Sequence, residues 1–304
     1  MTPAEVAFPK PIFGRAASWA EASLVLIAVP WEGGVSFRRG TAQAPELIRQ
    51  VSAQIDYYRP ESPAIAQLPI HWVEPLYDFS PSAEKAYEAT VLPYVMEWVR
   101  QAVEAGKAWG LVGGDHSIAL GGHYVLDQIA PGYGLLYLDA HADLRPTYEG
   151  NPYSHATILY HAAHLKGIES LVAVGIRDWA VEEAQLAQQL APRLTLFEMR
   201  RLRHALYHGR PWAELIGEIL SPLPERVYVS LDVDVLEPGY VPHTGTPVPG
   251  GFQYEEVFFL LEAIVRSGRK IIAFDVCETG GMELDAIIAA HLLYRLCALA
   301  TGLA

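Results

Sequence analysis

The sequence predicts an α/β protein whose mainly parallel sheet is covered by helices on both faces. Seven short apolar runs recur along the 304 residues, and segments with apolar residues at helical spacing lie among them. Strands that are apolar on both faces and joined by helix-length crossovers belong to parallel sheets with helices on either side.

Taken in order, the strand-length runs are LVLIAVP (24–30), WGLVGG (109–114), GLLYLDA (134–140), SLVAVGIR (170–177), LTLFEM (194–199), RVYVSLDVDV (226–235) and KIIAFDVCE (270–278). Helical spacing marks 83–106, 254–268 and 282–300. The first 20 residues, rich in Ala and Pro, read as an N-terminal arm, and the proline-containing stretch 57–80 reads as a long irregular connection. No repeat, low-complexity segment or polar linker divides the chain, so residues 1–304 are expected to form a single domain.

At 51% hydrophobic residues, the composition supports a sizeable core. No apolar stretch reaches the roughly 18 residues of a membrane span, and the N-terminus lacks a signal-like core, so a cytoplasmic protein is expected. Cys277 and Cys297 make no disulfide framework. A net charge of −13 without a basic run argues against nucleic acid and is compatible with a cationic small substrate.

Ligands of such sheets bind beyond the carboxyl ends of the strands. Four of the apolar runs lead into chemically loaded residues there: GGDHS (113–117), DAHAD (139–143), DVDVLEP (232–238) and CE (277–278). On an extended chain, alternate residues share a side. Asp139, His141 and Asp143 can therefore converge, as can Asp232 and Asp234, with His116 from the glycine-rich turn. Each alone has an ordinary explanation as a turn or cap residue, but three strand ends supplying ligand types together point to metal. Four carboxylates and two imidazoles suit Mn²⁺ better than structural zinc. Two divalent ions would use all six and balance the four Asp charges.

These residues resemble the ureohydrolase family, the arginases and agmatinases, which are binuclear manganese hydrolases of guanidino compounds. GGDHS, DAHAD and SLDVDVLEP are similar to its three metal signatures, HTGTPVPGG (243–251) to the segment that follows, and VPWEGGVSFRRGTAQAPELIR (29–49) to its N-terminal region. The resemblance implies a three-layer α/β/α sandwich and a homo-oligomer, trimeric or hexameric. It implies that His116, Asp139, Asp143 and Asp232 hold one manganese. His141, Asp139, Asp232 and Asp234 would hold the other. Glu278 matches the family's substrate-binding glutamate and His155, in YSHA, the histidine that carries a proton to the leaving amine. Asp143 would accept a proton as the tetrahedral intermediate forms. His123, His161, His164 and His243 are the rivals to His155.

The run DLRPTYEGNPYSHA (143–156) is similar to agmatinases and aminopropylagmatine ureohydrolases rather than to arginase, which implies a substrate without an α-carboxylate. Agmatine, yielding putrescine and urea, is the expected substrate. N1-aminopropylagmatine is the nearest alternative, followed by arginine or another guanidino acid. Glu149, Tyr148, Tyr153 and Trp31 lie where an amine tail could be met. A single-zinc deacetylase-like amide hydrolase and a non-catalytic metal-binding protein are the readings from other classes.

Overall fold

The computed structural model describes residues 11–56, 66–75 and 86–303. One eight-stranded sheet runs through these residues, and every pairing in it is parallel. Its strands are β1 (Leu24–Val29), β2 (Ile70–Val73), β3 (Ala108–Gly113), β4 (Tyr133–Leu138), β5 (Ile168–Ile176), β6 (Leu194–Glu198), β7 (Arg226–Asp232) and β8 (Lys270–Cys277). Their spatial order is β2-β1-β3-β8-β7-β4-β5-β6.

Side-chain alternation divides the core into two layers. Leu24 and Leu26 of β1 face one layer, where α1 (Ala44–Ser52), α6 (Met199–Tyr207), α7 (Trp212–Leu220), α8 (Tyr254–Arg266) and α9 (Glu283–Ala300) pack. Val25, Ile27 and Val29 face the other, covered by α2 (Leu92–Glu104), α3 (Ala119–Ile129), α4 (Ile158–Ala163) and α5 (Val181–Leu190). The result is the expected three-layer α/β/α sandwich. No helix among the described residues is long and apolar enough to cross a membrane.

Two stretches differ in detail from the sequence reading. Within the expected irregular connection, Ile70–Val73 forms edge strand β2, pairing with Leu24–Ile27. Its four residues are too short a run to register against the surrounding prolines. Residues 57–65 and 76–80 of that connection lie outside the described residues, as do 1–10 of the expected arm. From Pro11 the chain makes a short turn that buries Ile12 and Phe13. The Phe13 ring lies 5.2 Å from that of Tyr294 on α9.

Strands β3, β8, β7 and β4 are consecutive neighbours at the centre of the sheet. They are also the four strands that end in GGDHS, CE, DVDVLEP and DAHAD. With adjacent parallel strands about 4.8 Å apart, their carboxyl ends bring residues from four distant parts of the chain to one edge.

Candidate active site

His116 follows β3 in a 3-10 turn whose N-cap, Asp115, accepts a hydrogen bond from Ser117 N at 3.0 Å. Asp115 also accepts from Gly34 N at 2.6 Å, which ties the loop after β1 to this turn. Asp139 is the first residue beyond β4, and its carboxylate lies between the two imidazoles. Its Oδ2 is 3.2 Å from His116 Nδ1 and its Oδ1 is 3.5 Å from His141 Nδ1. Asp232 ends β7 and lies 3.5 Å from His116 Nδ1, while Asp234 lies 2.9 Å from His141 Nδ1. Asp143 Oδ2 stands 3.9 Å from His116 Nδ1.

All six expected ligand residues therefore converge, but not by strand alternation alone. Asp143 has φ +47°, in the left-handed region, so the backbone curls there instead of extending. Asp234 sits in a 3-10 turn, Val233–Val235, that Asp232 caps by accepting from Asp234 N at 2.8 Å. Neither expectation of an extended segment reaching its last carboxylate holds. Turns perform that step because each strand has already ended.

Two groups of possible ligand atoms, His116/Asp139/Asp232 and Asp139/His141/Asp234, share Asp139. Among the described residues, no Lys or Arg pairs with any of the four carboxylates. Burial and the neighbouring Asp139 charge push Asp143 up to about 8. Burial and like charges raise Asp232 and Asp234 as well. Burial also acts against ionisation of Asp139, yet the flanking His116 and His141 outweigh it and hold its carboxyl below the usual range. Asp234 Oδ2 is buried without a well-aligned hydrogen bond. Clustered buried carboxylates without a fixed cation are costly, so this donor set fits a pair of divalent ions.

Glu278 occupies the first position after β8 with φ +62° and is 1% exposed, so it is not a surface glutamate. One oxygen, Oε1, accepts from His116 N at 2.9 Å. The other, Oε2, is buried with no hydrogen-bond partner. His155 Nδ1 lies 3.3 Å from Glu278 Oε1, and its Nε2 is 2.9 Å from Ser36 Oγ. Burial would lower His155, but the Glu278 carboxylate, reinforced by Asp143 and Asp115, holds it up at about 9. Its rivals are engaged elsewhere: His161 and His164 contact the Pro152 and Tyr160 carbonyls, and His243 pairs with Asp285 at 2.8 Å.

A cavity of about 450 Å³ opens over this cluster, and His141, Asp143, His155 and Asp232 line it. His116, Asp139, Asp234 and Glu278 lie behind that surface. Three further residues of the wall or its support carried no signal in the sequence. Ser36 contacts His155, Asp178 pairs its backbone with His141, and Glu183 accepts from Leu144 N at 3.1 Å, which anchors the residue following Asp143. They come from loops and a helix start whose approach depends on strand order. Of the aromatic and acidic residues considered for an amine tail, Trp31 is buried against Tyr87, and Tyr153 stacks on Tyr87 at 4.9 Å. Tyr148 reaches the cavity wall.

Residues 22–298 match the sequence profile of the arginase family. The chain belongs to that family. It is 33% identical over 288 residues to an N(1)-aminopropylagmatine ureohydrolase of Thermus thermophilus, covering 93% of this chain and 92% of the relative. It is 31% identical over 264 residues to the agmatinase of Bacillus subtilis (strain 168), covering 86% of this chain and 84% of the relative. The crystal structure of agmatine ureohydrolase of Thermoplasma volcanium superposes with a TM-score of 0.80 at 25% identity, covering 97% of this chain and 95% of that chain. The parallel sheet and its helical layers are thus those of this arginase-family fold.

Behind the cluster, His123 of α3 is fully buried beside Tyr133 and Tyr228, and burial lowers it to about 4. The unfolded chain takes up this proton near pH 6.5, whereas the folded chain resists it down to about pH 4. Stability contributed by neutral His123 is therefore lost as pH falls through that window. From pH 7.5 to 5 the loss is about 2 kcal/mol. Urea denaturation of the metal-free protein and of His123→Leu at the two pH values should show this increment in the wild type and its absence in the variant.

Proposed function

We propose that this arginase-family hydrolase is a binuclear manganese ureohydrolase that releases urea from a decarboxylated guanidino substrate, with agmatine first and putrescine as the other product. The observation that carries the proposal is the convergence of four carboxylates and two imidazoles beneath a cavity, beside a buried Glu278–His155 pair. His116, Asp139, Asp143 and Asp232 would hold one ion, and His141, Asp139, Asp232 and Asp234 the other. When bound, the two ions supply a water acidic enough to act as nucleophile near neutral pH and offset the carboxylate charge.

The chain's own residues supply the remaining requirements. Glu278 is anchored through Oε1, so its unpartnered Oε2 can accept N–H bonds from the planar guanidinium and orient its carbon. Asp143 accepts a proton as the nucleophile adds. His155, held protonated by Glu278, donates a proton to the departing amine, and Ser36 fixes its ring from the far side.

Urea release should be measured with Mn²⁺ on agmatine, N1-aminopropylagmatine, arginine, guanidinobutyrate and formiminoglutamate. Agmatine or its aminopropyl derivative should lead. Preference for arginine would overturn the substrate assignment, and amide hydrolysis without urea, with one zinc per chain, would overturn the reaction class. His155→Ala should reduce kcat by about 10²–10⁴-fold, and an unchanged kcat would remove its assigned role.

A second cavity of about 580 Å³ favours the longer substrate as the second reading. It shares Ser36 and Tyr148 with the first and is lined by Glu149 at a tight Tyr148–Asn151 turn. Its lining includes no Lys or Arg among the described residues. An additional ammonium could lie there against Glu149, since an exposed carboxylate still attracts a cation. Glu149→Gln should raise KM for N1-aminopropylagmatine severalfold and leave that for agmatine unchanged. Equal effects on both would remove this reading.

A further inference from the structure

We infer that Asp275, acting through Ser230, is a positioning residue that keeps the His116 ring proton on Nε2 and thereby leaves Nδ1 open to a metal ion. Ser230 on β7 and Asp275 on β8 are direct partners in the parallel register, and both side chains are fully buried. They meet behind His116, on the side of the ring opposite the carboxylate cluster. His116 Nε2 is 2.8 Å from Ser230 Oγ, and Ser230 Oγ donates to Asp275 Oδ1 at 3.0 Å.

The direction of this chain follows from counting protons. A serine hydroxyl has one proton to donate, whereas an ionised carboxylate can only accept. Asp275 Oδ1 also receives Leu231 N–H at 3.2 Å and the Cys277 thiol at 3.5 Å, so donors converge on this oxygen, while Oδ2 is buried without a hydrogen-bond partner. With its proton directed to Asp275, Ser230 can only accept from His116, and the proton of the neutral ring resides on Nε2. Nδ1 then presents a lone pair toward Asp139, Asp232 and Asp143 oxygens at 3.2, 3.5 and 3.9 Å. The nearby Tyr137 hydroxyl, 3.1 Å from Nδ1, donates to Asp143 instead. The contact between Nδ1 and Asp139 Oδ2 is within hydrogen-bond distance, so a proton on Nδ1 could also fill it. With the proton held on Nε2 instead, the facing lone pairs are left for a metal ion, and a hydrogen-bond partner on the far nitrogen of a metal-bound imidazole is the physical means of presenting such a site.

His116, Asp275 and Cys277 also form a possible ligand group of their own. The donors already directed at Asp275 Oδ1 make that group the support of the first site rather than a third one. Without the Asp275 acceptor, the Ser230 hydroxyl is free to donate to Nε2. The ring proton then moves to Nδ1 and blocks the ligand position.

The proposal rests on the binuclear reading, so Mn²⁺ titration of wild-type protein comes first. Fewer than two ions per chain would remove that reading itself. Given two, Asp275→Ala should weaken one ion by about 10–100-fold while the ion served by His141 and Asp234 keeps its wild-type affinity. Ser230→Ala should have a smaller effect, because Nε2 already lies 3.5 Å from Asp275 Oδ1. Asp275→Asn, whose amide oxygen can take the Ser230 proton, should restore binding. Two wild-type ions in Asp275→Ala, equal weakening of both, or an Asn variant as weak as Ala would each overturn the proposal. A readout independent of these variants is the ¹⁵N spectrum of wild-type protein loaded with diamagnetic Mg²⁺ or Zn²⁺. It should show the His116 proton on Nε2, and a proton on Nδ1 would overturn the assignment even if Asp275→Ala did not fold.

Discussion

Asp139→Asn should reduce urea release from agmatine by at least about 10³-fold, equivalent to about 4 kcal/mol of transition-state stabilisation. Asp139 is the residue common to the two groups of ligand atoms, and it stands between His116 and His141. An amide keeps the shape but removes the charge from both groups together, so both ions should weaken in parallel. Circular dichroism should remain that of the wild type, because the Asp139 backbone N–H still donates to the Val174 carbonyl at 3.2 Å and both neighbouring strands are intact. Asp178→Asn is the appropriate control. It removes a carboxylate from the same cavity wall but from neither ligand group. Manganese content measured alongside turnover should fall only for the Asp139 variant. A fully loaded, active Asp139→Asn protein would refute the assignment of Asp139 to both ions.

Gly114→Ala should lower stability by at least about 3 kcal/mol, as an overpacked and immovable contact does. A Cβ there would stand 1.7 Å from the Trp31 carbonyl oxygen and 2.6 Å from its carbon, and neither can swing away as a side chain could. The same residue donates from its N–H to Val29 O at 3.0 Å and accepts from Glu278 N at 2.9 Å. It therefore joins the ends of β1, β3 and β8 directly beneath the site. Thermal unfolding should fall markedly, and manganese binding should weaken with it because Asp115 and His116 follow immediately. Gly217→Ala on α7 provides the contrast. Nothing lies within 4 Å of a Cβ there, so the better helix former should add about 0.5–1 kcal/mol. A Gly114 variant as stable as the wild type would show that the loop after β1 can move away without cost.

The residues legible from sequence are those whose chemistry conflicts with their surroundings. Asp139, Asp232 and His116 end or follow apolar runs that would otherwise continue into the core, and this conflict is visible without coordinates. Strand and helix alternation was legible for the same reason, since buried parallel strands leave long apolar runs. β2 was not, because Ile70–Val73 is a short edge strand with two of its four residues only partly buried. Ser36, Asp178 and Glu183 were not, because a serine in a loop or a glutamate at a helix start is unremarkable until another element is seen beside it. Asp275 was hidden differently. Within AFDVC it reads as one polar residue in a strand, and only its pairing with Ser230 across the sheet reveals what it faces.

By itself the sequence determined the α/β class, the ligand types and their place at the ends of strands, because burial and ligand chemistry are properties of local composition. The tertiary structure decided that β3, β8, β7 and β4 are neighbours, so that residues as far apart as His116 and Glu278 meet. It also decided that a left-handed residue at Asp143 and a 3-10 turn at Asp234, rather than strand alternation, aim the last two carboxylates. Strand order and backbone reversal depend on which layers pack together across the whole sheet, and no short stretch of chain contains that information.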